Sequence, residues 1–408
     1  MIPFSPPDIT QAEIDEVVDT LKSGWITTGP KTKQLERELA QFVGTTKVAC
    51  LGSATAALEC ALRLLGIGPG DEVITSAYTY TASASPICHV GATPVLCDVA
   101  ADSFEMDYDQ LADRITPQTK AVIPVDIAGR MADYDSLYAA LDAASNSWRP
   151  SNDVQERFGR VPVISDAAHS LGAKRAGLCS GQAGDLTAFS FHAVKNLTTA
   201  EGGALTWRPE LLDDEWAYSQ VMLMSLHGQT KDALAKDRAG AWEYDIAFPG
   251  WKCNMTDIQA ALGLSQLRRY RGMLERRRSI VAAYEAGLAD TGVQLLRHEQ
   301  GNPDDTGFVS SFHLMLVRLR GRTQAFRDEL IERLAQAGVS ANVHYKPLPL
   351  LTAYRNLGFD IADFPNALAQ YQNEITLPLH TLLSDEDVQA VIGQFKRIKA
   401  QMENEGLR

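Results

Sequence analysis

Lys195 stands in Phe189-Ser-Phe-His-Ala-Val-Lys195-Asn-Leu-Thr-Thr-Ala-Glu-Gly-Gly203, just past a short apolar strand and just before a glycine pair. Upstream, a second apolar run, Val161-Pro-Val-Ile-Ser165, ends in Asp166. An amine and a carboxylate at neighbouring strand tips are the two groups that pyridoxal phosphate (PLP) chemistry asks of a protein. The lysine forms a Schiff base with the aldehyde, and the carboxylate keeps the pyridine nitrogen protonated. Each residue also has an ordinary reading. Most lysines are solvated surface residues, and Asp166 in Asp166-Ala-Ala-His169 equally suits a helix cap. An unpaired carboxylate after an apolar strand is costly, however, and a cationic ring nitrogen would lower its pKa and keep it ionised.

Other strand ends carry residues of matching type. Gly52-Ser-Ala-Thr-Ala-Ala57 follows a strand and opens an Ala/Leu-rich helix; Ser53 or Thr55 can cap that helix, and its free N–H groups suit a phosphate. Ser190, at the end of the strand before Lys195, offers a hydroxyl to the same phosphate. Tyr80, in Ser76-Ala-Tyr-Thr-Tyr-Thr81, can stack on a pyridine ring, with Tyr78 as the competing candidate and core packing as the alternative for both. His169 can orient the aspartate or the ring, or be satisfied within the core. Gly66-Ile-Gly-Pro-Gly70 neither follows a strand nor opens a helix, which argues for a turn and against a dinucleotide site.

These residues need a scaffold of strands ending at one edge. Between about residues 46 and 207 short β-rich runs alternate with helix-like stretches: Lys47–Leu51, Glu72–Thr75, Pro94–Val99, Ala121–Asp126, Val161–Ser165, Leu186–Phe191 and Ala204–Trp207. Several are near-continuous Val/Ile/Leu, as expected of strands buried on both faces. Ala54–Leu65 and Asp133–Ala144 supply crossover helices. The expected fold is α/β with a largely parallel sheet, whose ligands gather at the carboxyl ends of the strands. After Thr256 the texture changes. A long Arg/Leu-rich helix (Ile258–Ala286), a strand (Ser310–Arg318), a helix (Arg327–Ala337) and a helical tail after Ser384 suggest a smaller α+β domain. The expected division is residues 1–256 and 257–408, with polar Ser145–Gly159 as a surface loop insertion.

Bulk composition narrows the class. A chain of 408 residues exceeds one small core, and 45% apolar with 22% charged residues is ordinary for a soluble protein. A net charge of −13 argues against a nucleic-acid or anionic-membrane surface. The N-terminal Met1-Ile-Pro-Phe-Ser-Pro-Pro-Asp lacks the regions of a signal peptide, and no apolar run has the length of a membrane helix. Six cysteines without a C-x-x-C pair read as buried thiols, which fits a reducing cytoplasm. The scattered histidines make a dedicated metal site improbable.

Taken together, these residues resemble the sugar-nucleotide aminotransferase family (DegT/DnrJ/EryC type), PLP enzymes with the aspartate-aminotransferase-like fold type I. The resemblance runs from Ser23-Gly-Trp-Ile-Thr-Thr-Gly-Pro30 to Leu377-Pro-Leu-His380, through Ser53–Ala56, Asp166–His169, Phe189–Lys195, Ala200–Gly203 and His344-Tyr-Lys-Pro347. Within the family the chain looks closest to enzymes that aminate C4 of UDP-linked 4-keto sugars with glutamate as amino donor. The resemblance implies a large mixed, mostly parallel sheet domain with a smaller C-terminal domain. It implies Lys195 as the Schiff-base residue, Asp166 on the pyridine nitrogen and Tyr80 on the ring face, with Ala54, Thr55 and Ser190 on the phosphate and His169 beside them. It sets Gly24, Trp25, Ile26, Thr27, Ser53, His344, Tyr345 and Lys346 near the sugar nucleotide. It also implies a homodimer with active sites at the subunit interface. Many relatives carry Gly-Tyr-Asn-Tyr-Arg where this chain has Gly250-Trp-Lys-Cys-Asn254, so Lys252 inherits the asparagine's reach to the partner's phosphate. Rival readings are amination of a 3-keto sugar, a cyclitol or an aminobenzoate precursor, a sugar 3-dehydratase, and a silent PLP-binding regulator. The dehydratases replace the lysine with histidine, so Lys195 speaks against them.

Overall fold

Alternating residues of the short apolar strands feed two cores, and that alternation builds the sheet. In the computed structural model, which describes residues 1–231 and 243–407, the chain runs through β1 (Val48–Leu51), β2 (Glu72–Ser76), β3 (Thr93–Cys97), β4 (Thr119–Ile123) and β5 (Ile164–Asp166). A small hairpin, β6 (Lys174–Arg175) and β7 (Leu178–Cys179), precedes β8 (Leu186–Ser190) and β9 (Gly203–Trp207). Strands β1-β9-β8-β5 and β3-β2-β4 form two ladders. The parallel bridges Val122–Val163 and Val125–Asp166 join them into a seven-stranded sheet. Only β9 runs against the rest. Ala49, Leu51, Leu186, Ala188, Leu205 and Trp207 face one core with helix Ala54–Leu64. Val48, Cys50, Phe189 and Ala204 face the other with helices Pro30–Val43 and Asp257–Leu288. Burying both faces explains why these strands are nearly all apolar. The candidate site residues Asp166 and Ser190 sit at strand ends.

The helix Asp257–Leu288 opens with a Thr256/Gln259 capping box. Its first half packs in the core beneath the large sheet and its last turns in a separate core. That second core is built on the antiparallel strands β10 (Gln294–Leu295), β13 (Met315–Arg318) and β14 (Glu374–Leu377), with helices Gln324–Gln336 and Asp385–Asn404. Ile2 joins it from the other end of the chain, bridging to Val339. Strands β11 (Glu299–Gln300) and β12 (Phe308–Val309) extend the β6–β7 hairpin into a small sheet.

Two expectations change. Ser310–Arg318 is not one strand, because β12 ends at Val309 and β13 begins at Met315. In between, Ser311 N–H donates to Gly129 O (2.9 Å) and His313 N–H to Ala128 O (3.1 Å), so the segment is drawn to the floor of the cleft rather than to a strand partner. The polar segment 145–159 is tied down rather than simply looping over the surface. Trp148, Gln155 and Phe158 are buried, and Asn152 Nδ2 (3.1 Å) and Gln155 Nε2 (2.9 Å) both donate to Leu65 O at the end of helix Ala54–Leu64. Its polar residues cap an orphan carbonyl, which a hydrophilicity argument cannot see.

Candidate active site

The carboxyl ends of β1, β2, β5 and β8 open on a cleft of about 340 Å³ whose lining includes Ser53, Thr55, Tyr80, Asp166, His169, Ser190, Lys195, His344 and Tyr345. The floor is Asp166, 5% exposed at the tip of β5. Its Oδ2 accepts from Ser83 Oγ (2.6 Å) and its Oδ1 from Ala168 N–H (3.2 Å). Because the single Ser83 proton goes to Asp166, Ser83 accepts from Thr79 Oγ1 at 2.7 Å. Burial pushes the Asp166 carboxyl up, against the pull of these donors and of Lys195. Its hydrogen-bond partners among the described residues are uncharged, and the Lys195 charge acts on it without a direct ion pair.

Lys195 lies in the loop after β8, with its backbone N–H on His192 O (2.9 Å). Burial pulls its ammonium down to about 8, with Asp166 holding it up. Nζ has no hydrogen-bond partner among the described residues, so an unencumbered amine, about half of it neutral near pH 8, faces the cleft. The following Asn196 is pinned: Nδ2 donates to Ser311 O (2.7 Å) and Oδ1 accepts from His313 Nδ1 (2.8 Å).

At the third side, Ser53 Oγ accepts from Ala56 N–H (3.1 Å) and so caps helix Ala54–Leu64. The N–H groups of Ala54 and Thr55 have no acceptor among the described residues, which leaves donors and the helix dipole for an anion. A Cβ at Gly203 would collide with the Ser53–Ala54 peptide, so the second glycine of the pair is what lets β9 approach this turn.

His169 is buried; Nδ1 accepts from Ala128 N–H (3.1 Å), so the ring proton sits on Nε2 and is donated to Tyr345 Oη (3.0 Å). Burial and the Lys195 charge keep this imidazole neutral. Tyr80 is 59% exposed with its ring 5.9 Å from that of Tyr345, whereas Tyr78 is fully buried and donates to His344 O (2.8 Å). Tyr80 is thus the tyrosine left available for ring stacking.

Not every expected residue meets in this cleft. Gly24, Ile26 and Thr27 are exposed, Trp25 is half-buried with its indole N–H on Thr28 O (3.2 Å), and Lys346 points outward. None of them lines the cleft, and neither does Lys252, whose ammonium bonds Asn254 Oδ1. They do share a neighbourhood. Asn254 Nδ2 donates to Thr28 Oγ1 (2.5 Å), Asp257 N–H donates to Thr27 O (3.1 Å), and Cys253 O accepts from Gly52 N–H (2.7 Å) beside Ser53. Sequence reasoning missed Ser83, Thr79, Asn196 and His313. Their only signal is a polar residue inside an otherwise apolar neighbourhood, which is shared by many unrelated core residues.

The donor set fits PLP. A buried carboxylate lacking a cation matches a protonated ring nitrogen, a partnerless amine of lowered pKa matches an aldehyde, and free helix N–H groups with Ser190 match a phosphate.

Comparison with known proteins gives the same chemistry. The profile of the DegT/DnrJ/EryC1/StrS aminotransferase family matches residues 7–396. The spore coat polysaccharide biosynthesis protein SpsC of Bacillus subtilis is 38% identical over 397 residues, covering 96% of this chain and 95% of that protein. Among solved structures, the putative sugar aminotransferase Spr1654 of Streptococcus pneumoniae in its PMP form is 55% identical, covers 98% of this chain and 100% of its own, and superposes with a TM-score of 0.94. Its PLP form is 53% identical over 98% of this chain and 99% of that one, with a TM-score of 0.93. Helicobacter pylori PseC, an aminotransferase of pseudaminic acid biosynthesis, is 26% identical, covers 98% and 99% of the two chains and gives 0.84.

Proposed function

The chain belongs to the DegT/DnrJ/EryC1/StrS aminotransferase family and is a PLP-dependent sugar aminotransferase, and we propose that it moves the amino group of glutamate to C4 of a UDP-linked 4-keto sugar destined for a cell-surface polysaccharide. The observation that carries the catalytic part is the pairing of an ion-pair-free Asp166 with a partnerless Lys195 in one cleft. The polysaccharide link is supported by the likeness to SpsC, and an amino-sugar product by the likeness to PseC; the 4-keto position is what the family resemblance implies.

PLP, when bound, supplies an electron sink for a carbanion next to nitrogen. The protein's part is to hold it and to manage protons. Asp166 would hold the ring nitrogen, Tyr80 one ring face, and the Ala54 and Thr55 amides with Ser190 the phosphate. Lys195 Nζ would hold the aldehyde carbon. With its ammonium pulled down to about 8, Lys195 would also be the base that takes up a proton and returns it. Among the described residues, the cleft lining offers the phosphate no arginine and no lysine other than Lys195. This supports a homodimer in which Lys252 of one subunit reaches the phosphate of the other. Gly24–Thr27 and His344–Lys346 form the proposed sugar-nucleotide rim, and a cytoplasmic setting follows from nucleotide-sugar supply. No helix among the described residues is long and apolar enough to cross a membrane.

The test is two half-reactions on the holoenzyme. Glutamate should bleach the visible band of the lysine-bound cofactor and yield 2-oxoglutarate. The bleached enzyme should then aminate a UDP-linked 4-keto sugar in preference to 3-keto sugars and cyclitol ketones, with the product identified by mass and NMR. Amination of a 3-keto sugar alone overturns the C4 assignment. Failure of glutamate, with success of another amino acid, overturns the donor.

A further inference from the structure

Behind the C-terminal wall of the cleft lies a buried carboxyl that the chemistry above does not use. Glu374 opens β14 and is fully buried. Its Oε2 accepts from His344 N–H (2.9 Å), and its Oε1 lies 2.6 Å from Thr376 Oγ1. Thr376 Oγ1 in turn lies 2.9 Å from His344 Nδ1. His344 lines the cleft, held by a stacked Phe4 ring (5.5 Å) and an edge-on Tyr345 ring (4.9 Å). Its remaining nitrogen, Nε2, has no partner among the described residues.

A hydroxyl carries one proton, so this chain of bonds has two self-consistent directions. With Glu374 ionised, Thr376 donates to Oε1 and accepts from His344 Nδ1–H, which leaves Nε2 as a bare lone pair. With Glu374 protonated, His344 N–H still occupies Oε2, so the proton sits on Oε1 and donates to Thr376. Thr376 then donates to Nδ1, and the imidazole proton appears on Nε2. We propose that Glu374 and Thr376 are positioning residues that set the proton of His344, and so decide whether the cleft meets a lone pair or an N–H at Nε2. The use of this atom rests on the sugar-binding reading of the cleft. An N–H suits the keto oxygen of the substrate, and a lone pair suits a hydroxyl.

The charges around Glu374 leave both states accessible. Arg327, from helix Gln324–Gln336, bonds Tyr371 O (2.8 Å) and Glu374 O (3.0 Å) and favours the ion. Tyr78 and Tyr345 face it with phenols that burial holds neutral. Arg318, its register partner on β13, is engaged with Asp102. Burial is the largest influence and pushes the Glu374 carboxyl up to about 8, while burial and the Lys195 charge across the cleft pull the His344 ring down to about 4, so His344 stays neutral as Glu374 titrates.

The experiment is nitrogen NMR of the ¹⁵N-histidine-labelled holoenzyme, with the His344 signals assigned by their loss in His344→Gln. Expected in the wild type is the Nε2–H form at about pH 6.5 and the Nδ1–H form at about pH 9.5. Glu374→Gln should hold Nε2–H at both, because its amide oxygen is occupied by His344 N–H and only its NH₂ can face Thr376. Thr376→Val should abolish the pH response and Thr376→Ser restore it. One form at both pH values in the wild type, a measurement that needs no variant to fold, overturns the proposal, as does a wild-type pH response in Glu374→Gln. KM for the UDP-linked 4-keto sugar should rise roughly tenfold across this range in the wild type and stay flat in Glu374→Gln. A flat wild-type KM beside a switching imidazole removes the keto-oxygen contact. Bleaching by glutamate reports separately on the transaminase reading.

Discussion

The floor of the cleft and its C-terminal rim both bury a carboxyl beside a nitrogen base, yet they are built differently. On the floor, Asp166 and Lys195 sit at the tips of parallel strands, neither bonded to the other, each missing the partner its burial demands. At the rim, Glu374, Thr376 and His344 satisfy one another, and only His344 Nε2 is left over. An incomplete pair is arranged to receive something, whereas a complete chain is arranged to hold something in place. On the function proposed above, the floor would hold the cofactor and the rim would select what reacts with it.

Removing the floor should therefore cost most. Lys195→Ala is expected to abolish the visible band and reduce turnover by at least roughly 10³-fold, measured as 2-oxoglutarate formation from glutamate. Persistence of both the band and turnover would sink the assignment of Lys195. Asp166→Asn keeps the shape but not the charge. It should lower kcat by roughly 10²-fold with smaller change in cofactor content, because a neutral amide cannot hold a ring nitrogen protonated. An equal loss of bound cofactor and of kcat would make Asp166 merely structural.

The floor was legible in the sequence because its residues follow apolar runs at strand ends, and strand ends in a parallel sheet converge. Asp166 and Ser190 close β5 and β8, the Ser53–Thr55 turn follows β1 and Lys195 lies in the loop after β8, so a local pattern carried a three-dimensional fact. The rim was not legible in that way. Glu374 and Thr376 alternate with Ile375 and Leu377 in a four-residue strand, which reads as a half-buried strand with polar residues facing solvent, whereas all four are buried. Their partner His344 comes from a loop 30 residues before Glu374 and 32 before Thr376, and the pairing of β14 with residue 342 brings them together. The resemblance to a family gave His344 a neighbourhood but not its bonding. The segment 145–159 misled for a related reason: its polar residues serve a buried carbonyl rather than water.

Between floor and rim lies the phosphate end, where the described residues supply no dedicated cation. If Lys252 completes it from the partner subunit, Lys252→Ala should weaken cofactor retention by roughly tenfold. The sharper measurement is complementation. Lys195→Ala and Lys252→Ala chains co-expressed in equal amounts form half mixed dimers, each with one intact shared site, so about a quarter of wild-type activity should return. No recovery, with both variants folded and dimeric, would put Lys252 in its own subunit's site or in none.

The smallest expected effect separates the two regions by pH. Burial pulls Lys195 to about 8, and the nearby Asp166 charge opposes that pull. The neutral amine is the nucleophile, so its fraction is about a tenth at pH 7 and about nine tenths at pH 9. Capture of added PLP by the cofactor-free chain should rise roughly tenfold over this interval and then level off. An ordinary surface lysine would rise roughly a hundredfold with no plateau. Asp166→Asn removes the charge that favours the ammonium, so the plateau should arrive at lower pH. Glu374→Gln, across the cleft and bound into its own chain, should leave the midpoint of capture where it was. A midpoint that moves with Glu374 would mean that floor and rim titrate as one network, and the division drawn between them would fall.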